Sequence, residues 1–150
     1  MKNHNIFLLE RYFNAGKLKQ RYYDGKSYCQ PYSAEDRLLA GKMFYEDFLS
    51  WQKTARLIRN YEAIKVDVSL NTAGGFSKNT ERFRRALKRL PKASLEVVYQ
   101  IVLCENDIMA PPNFNERERA FFYDDIKGLL CRGLDELCRF YAPVRLAEFV

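Results

Sequence analysis

The chain has 150 residues, is 47% hydrophobic and 29% charged, and carries a net charge of +6. That length supports one domain with helical extensions or two small lobes, and the composition excludes a disordered chain. Four cysteines without a CxxC pair, with His4 as the single histidine, argue against a zinc site of ordinary spacing.

Ile6 to Phe13 reads as a short amphipathic helix closed by Asn14-Ala15-Gly16. Ile6 to Leu9 is too short for a secretory signal or membrane span, and Glu10 and Arg11 follow at once. Residues 17–32 are basic, rich in tyrosine and punctuated by Asp24-Gly25 and Pro31, which predicts a loop or turn region. Ser33 starts the clearest long helix. Ser33 and Asp36 form a capping-box pattern with Asp in the usual Glu position. Leu38, Leu39, Met43, Phe44 or Tyr45, Phe48, Trp51 and Ala55 recur at helical spacing. The helix is expected to reach about Tyr61, which is long for a globular helix. Such a helix packs along several neighbours or along a second chain, so a homodimer through residues 33–61 stays open. Ile64 to Leu70 alternates as a strand does, without an evident partner strand. Asn71 to Gly75 breaks structure, which places a hinge at 71–77.

Asn79 or Thr80 caps a helix to Leu90, ended by Pro91. Ser94 is expected to cap another to about Asn106. Its apolar residues Leu95, Val97, Val98, Ile101, Val102 and Cys104 go almost all the way round, as in a centrally buried helix. Pro111-Pro112 makes a bend, and Asn115 caps a short helix through about Phe122. The last helix carries Ile126, Leu129, Leu130, Leu134, Leu137, Cys138 and Tyr141 on one stripe and stops before Pro143. Cys104, Cys131 and Cys138 read as small buried hydrophobes, which fits a reducing, cytoplasmic setting. The 11 Phe and 10 Tyr supply enough buried area for a real core. The expected class is all-α: a multi-helix domain with a long central helix at 33–150, preceded by an N-terminal helix and basic loop at 1–32.

Charge divides this chain. Residues 1–92 hold 19 Lys and Arg against 9 Asp and Glu, whereas residues 93–150 hold 6 against 10. The stretch Lys78 to Lys92 concentrates the excess, with seven basic residues and one acid, Glu81. In helical register Phe83, Ala86, Leu87 and Leu90 form a buried stripe. Arg82, Arg85 and Arg89 lie along one flank, with Arg84 and Lys88 beyond. Solvated helix faces normally mix signs, and this one barely does. A ridge of this kind suits nucleic-acid phosphates through salt-sensitive counterion release. Arginine also reads guanine edges in a major groove. Arg56, Arg59 and Lys65 form a secondary basic group. Lys17, Lys19, Arg21 and Lys26 stand among Tyr22, Tyr23 and Tyr28, a mixture that single-strand binders use. The plainer reading folds those tyrosines onto a core. Carboxylates pair at Glu116/Glu118, Asp124-Asp125 and Asp135-Glu136, but no histidine or motif lysine accompanies them. Gly74-Gly75 lacks the context of a phosphate-binding loop. No catalytic, metal or cofactor site is expected.

LLAGKMFYEDF at 38–48, RFRRALKRL at 82–90, LEVVYQIVLC at 95–104 and KGLLCRGLDELCRFY at 127–141 resemble, in order, segments of a helix-turn-helix domain family of alphaproteobacteria found in transcriptional activators of gene transfer agents and prophage-like clusters. LLAGKMFYEDF at 38–48 looks like that family's "AGERLRADY" helix. RFRRALKRL at 82–90 looks like its basic "RRxxAL" helix. LEVVYQIVLC at 95–104 looks like its apolar helix, and KGLLCRGLDELCRFY at 127–141 like its closing "KxxLRxGLDxLAxHY" helix. The resemblance implies a unit of three to four helices at 78–142 similar to sigma-factor region 4, with the turn and the start of a recognition helix just before Lys127. The family reads "GWPARSGK" there, whereas this chain reads Ala120-Phe-Phe-Tyr-Asp-Asp-Ile-Lys127. Two acids thus stand at the expected groove-entering end, where they repel phosphate. Arg119, Lys127 and Arg132 remain candidates for DNA there, and the acidic C-terminal part favours the Lys78 to Lys92 ridge instead.

The expected function is a double-stranded-DNA-binding transcription activator of phage or gene-transfer-agent type, acting with RNA polymerase or another transcription protein. The alternative is a non-enzymatic helical adaptor or structural protein of a mobile element that binds protein partners or self-assembles.

Overall fold

Apolar spacing of three and four residues dominates the chain, and helices dominate the fold. The computed structural model describes residues 7–64 and 78–149, and the side chains of 7–54 and 81–142. Its helices are α1 (Leu8–Asn14), α2 (Ala34–Ile64), α3 (Lys78–Arg89), α4 (Lys92–Val98) and α5 (Glu116–Phe149). The all-α class with a long central helix holds. Most of the strand expected at 64–70, and the hinge at 71–77, lie outside the described residues; Ile64 itself closes α2.

The region expected to be only loop contains a two-stranded antiparallel hairpin, β1 (Tyr22–Tyr23) with β2 (Tyr28–Cys29). Its turn is built by Asp24, whose Oδ1 accepts from the backbone N–H of Lys26 at 2.8 Å and of Ser27 at 3.0 Å. Those two donors hold the Asp24 carboxyl below the usual carboxylate range.

Ser33 caps α2 as its sequence predicts: its Oγ accepts from the Asp36 N–H at 3.1 Å. The helix runs for 31 residues and packs within its own chain on α1, α3 and α5. Its buried stripe is Ala34, Arg37, Ala40, Gly41, Phe44 and Asp47. Leu39, expected on that stripe, is exposed instead. At Gly41 an added Cβ would stand 2.2 Å from Leu9 Cδ2, so the missing side chain lets α1 lie against α2. Phe83 of α3 fills an aromatic niche on α2, with ring centroids 5.2 Å from Phe44, 5.6 Å from Phe48 and 5.5 Å from Trp51.

Pro91, not Ser94, stands at the N-cap of α4. Ser94 is buried one turn inside it, and its Oγ has no hydrogen-bond partner among the described residues. The helix shifts to a π-helical turn over Tyr99–Leu103 and ends there, short of Asn106. Val97, Val98, Ile101, Val102 and Leu103 are buried, which bears out its central place, although Leu95 faces outward. The opposing position on α5 is Gly133, where a Cβ would come within 2.6 Å of Val98 Cγ2.

The two C-terminal helices expected from sequence are one. Asn115 and Glu118 start α5 with a reciprocal box: Asn115 Oδ1 accepts from the Glu118 N–H at 2.8 Å, and Glu118 Oε1 from the Asn115 N–H at 2.9 Å. The helix then continues unbroken for 34 residues. The turn expected before Lys127 is absent, Asp124 and Asp125 sit inside the helix, and Pro143 does not stop it. A proline there removes one ladder hydrogen bond, and the helix spans the loss.

One core joins these elements: Leu8, Leu9 and Tyr12 of α1 belong to the same cluster as Phe44, Phe83, Val98, Leu134 and Tyr141. The loop after the π-turn is fastened to α1, since the Leu8 N–H donates to Glu105 Oε1 at 3.0 Å and the Tyr12 hydroxyl donates to Asp107. Among the described residues no helix is long and apolar enough to cross a membrane.

Candidate nucleic-acid interface

The ridge on α3 divides into one inward arginine and an outward set. Arg82 does not stand off the apolar stripe as its register predicts. Its Nε and Nη2 donate to Asp47 Oδ2 and Oδ1 of α2 at 2.8 and 2.9 Å. Asp47 is buried, 1% exposed, and accepts a third bond from the Tyr141 hydroxyl of α5 at 2.8 Å. The Arg82 guanidinium also lies 5.8 Å from the Tyr141 ring centroid. Burial, then the Asp47 charge and hydrogen bond, push the Tyr141 hydroxyl far above the ordinary tyrosine value. Arg82 is therefore a bolt between three helices, and its charge is neutralised by Asp47.

Arg84, Arg85, Lys88 and Arg89 are exposed on the outer half of α3, and Lys92 continues them at the first residue of α4. Arg84 is held by a contact of its own. Arg85, Lys88, Arg89 and Lys92 make no ion pair among the described residues. Glu81 is the one acid on this face. Phe83, Ala86 and Leu90 are buried beneath it, so the helix presents cations outward from a fixed base. Lys78 begins α3, and Arg56 and Arg59 fall on α2; all three lie outside the residues whose side chains are described.

The candidates on α5 do not join this face. The Arg119 Nη2 donates to the Phe114 carbonyl at 3.0 Å, back across its own helix start. Lys127 Nζ stands 3.6 Å from Asp124 Oδ1. Arg132 is exposed in a groove of about 500 Å³ between the hairpin and α5. No residue of α3 lines that groove. Gln20, Arg21, Tyr22, Tyr23 and Tyr28 form one wall, and Phe121, Asp124, Asp125, Gly128, Leu129 and Arg132 the other.

A second buried ion pair, which the sequence reading missed, holds the hairpin wall. Arg37 and Asp135 are both fully buried, with Nε to Oδ1 at 2.7 Å and Nη2 to Oδ2 at 2.8 Å. Arg37 Nη1 donates to the Leu18 and Gln20 carbonyls at 2.8 and 3.0 Å, and the Tyr22 hydroxyl donates to Asp135 Oδ2 at 2.8 Å. Burial works against the Arg37 charge, but the Asp135 hydrogen bonds and charge outweigh it and hold its value above the usual one. The signal was present in the register: Arg37 lies between Ala34 and Ala40, and Asp135 beside Leu134 and Cys138, all on buried stripes. The acid pair Asp135-Glu136 is thereby split, since Glu136 pairs with Arg139.

Comparison with known protein families, with curated proteins and with solved structures finds no match.

Proposed function

We propose that this chain is a transcription regulator of phage or gene-transfer-agent type that binds double-stranded DNA and acts with RNA polymerase or another transcription protein, without catalysis. The observation that carries the reading is the outer face of α3: Arg85, Lys88, Arg89 and Lys92 are exposed and without ion-pair partners among the described residues. Unpaired cations on a rigid helix are free to exchange counterions for phosphates, which supplies affinity for any sequence. Sequence choice then falls to the arginines that reach base edges. The resemblance of segments 38–48, 82–90, 95–104 and 127–141 to the activator family points the same way. The continuous α5 has no turn before Lys127, which supports a contact through α3 over one through that segment.

The test is duplex binding by fluorescence anisotropy across a salt series. Four phosphates neutralised give a slope of about −3.6 in log affinity against log salt, so affinity falls roughly 150-fold between about 50 and 200 mM. Replacing Arg85, Lys88, Arg89 and Lys92 by Ala removes most of that slope, and Arg82 is left in place because it holds the fold. No duplex binding at low salt, or an unchanged slope in the variant, refutes the reading.

The adaptor reading is favoured by one observation. Met109 and Phe121 are 70% and 63% exposed, as apolar contacts at a protein interface are. A mass measurement in solution with and without DNA separates a protein-only assembly from a DNA-dependent one.

A further inference from the structure

The groove between the hairpin and α5 is a second surface with its own chemistry. Tyr23 and Tyr28 meet edge to face across the strands with ring centroids 5.6 Å apart, and stay 56% and 69% exposed. Phe121, 63% exposed, belongs to the opposite wall. Three aromatic rings that cover little of the core are therefore available around one groove of about 500 Å³, the volume range of a small-ligand site. An arginine belongs to each wall, Arg21 on one side and Arg132 on the other. The segment 17–29 that carries the hairpin holds four basic residues and one acid. Asp124 and Asp125 complete the lining.

We propose that this groove binds single-stranded DNA, with unpaired bases stacking on Tyr23, Tyr28 and Phe121 and the flanking phosphates held by Arg21 and Arg132. The charge pattern selects this occupant. An acidic peptide matches the arginines but is repelled by the aspartates, and a basic peptide meets the reverse conflict. A nucleotide separates its two ends: the phosphate, which Asp124 and Asp125 repel, goes to Arg21 and Arg132, and in cytosine the amino group donates to a carboxylate. Stacking needs a ring face and tolerates any base, so three exposed rings bordered by cations form the platform that single-strand binders use. The hairpin is already fixed by the Tyr22 bond to Asp135 and by Arg37 on the Leu18 and Gln20 carbonyls, so the platform is built before the strand arrives. The choice of DNA rests on the function proposed above, and the groove is a surface separate from α3.

The experiment measures affinity of the full chain for a labelled single-stranded oligodeoxycytidine and for a duplex in parallel. Wild type binds both. The Tyr23→Ser/Tyr28→Ser variant loses roughly 5- to 150-fold in single-strand affinity per stacked base and keeps its duplex affinity. Tyr23→Phe/Tyr28→Phe retains single-strand binding, because the ring faces remain. The Arg85/Lys88/Arg89/Lys92 alanine variant does the opposite: it loses the duplex and keeps the single strand. Failure of wild type to bind the single strand, or equal affinities in the Tyr→Ser and Tyr→Phe variants, overturns this proposal and leaves the α3 reading standing. Duplex failure with single-strand binding intact overturns the α3 reading alone. Unchanged oligonucleotide affinity in the Tyr→Ser variant with altered self-association in a mass measurement also overturns the proposal and gives the groove to a protein partner.

Discussion

Replacing Arg82 by Ala leaves the buried Asp47 carboxylate with one donor, the Tyr141 hydroxyl, where it had three. Removing one partner of a buried pair costs about 3–5 kcal/mol, because the remaining charge stays desolvated. Arg82 keeps 27% side-chain exposure while Asp47 keeps 1%, so water reaches one side of the pair and the lower end, about 3 kcal/mol, applies. That is a large share of a domain stability of about 5–15 kcal/mol. In urea the midpoint falls while the slope, which follows the area exposed on unfolding, stays constant. The pair can also be removed whole. Asp47→Leu with Arg82→Met and Tyr141→Phe leaves no orphaned polar group, and that triple variant is expected within about 2 kcal/mol of wild type, well above Arg82→Ala. An Arg82→Ala variant within about 0.5 kcal/mol of wild type would show that the bolt is not formed and refute the argument. The same result decides how a DNA-binding assay is read: loss of affinity in Arg82→Ala reports a loosened α3, not a lost phosphate contact.

Two kinds of titrating group, tyrosine and cysteine, give further expectations. The Tyr12, Tyr22 and Tyr141 hydroxyls are pushed well above the ordinary tyrosine value, by burial first and then by the carboxylates to which they donate. A raised folded-state value stabilises fully below the unfolded value of about 10 and is lost as pH rises through the folded value. Stability should thus decline above about pH 10, and Tyr141→Phe should be less stable at neutral pH but flatten that alkaline limb; parallel limbs in the two proteins would contradict the assignment. Burial pushes the Cys131 thiol up to about 11. Its thiolate fraction at neutral pH is then on the order of 10⁻⁴. In the native protein an alkylating reagent should label the half-buried Cys29 and Cys104 first, and mass spectrometry showing Cys131 labelled as fast would sink the claim.

Periodicity made α3 and its buried stripe legible, together with the long α2 and the caps at Ser33 and Asn115, because each of these is a local rule about one helix. What stayed hidden was where a polar residue occupies an apolar position. Asp47 lies one turn from both Phe44 and Trp51, and Arg37 one turn from both Ala34 and Ala40. A pattern that counts only apolar residues reads both as surface. Their partners, Arg82 and Asp135, are 35 and 98 residues away, so no local spacing announces them. The hairpin escaped because two residues per strand are too few for an alternation to show. The unbroken α5 escaped for another reason. Asp124-Asp125 and Pro143 are signals of helix ends, and packing of Leu130, Leu134, Leu137 and Tyr141 against the core overrides them.

The two buried aspartates explain how the candidate surfaces stay in place. Outward cations on one short helix repel one another, and the apolar stripe of α3 is narrow. Asp47 removes the Arg82 charge from that repulsion and ties α3 to α2 and α5 in one step. Asp135 does the equivalent for the hairpin: through Arg37 it reaches the Leu18 and Gln20 carbonyls, and through Tyr22 it reaches the strand next to exposed Tyr23. A hairpin of two residues per strand is not stable alone in water, so its ring faces keep their positions only while that network is intact. Substituting Asp135 therefore disorders the groove wall and the core together, whereas the exposed rings and cations change without moving either aspartate. The proposed binding is separable from folding at Tyr23, Tyr28, Arg85 and Lys88, and inseparable from it at Arg37, Asp47, Arg82 and Asp135.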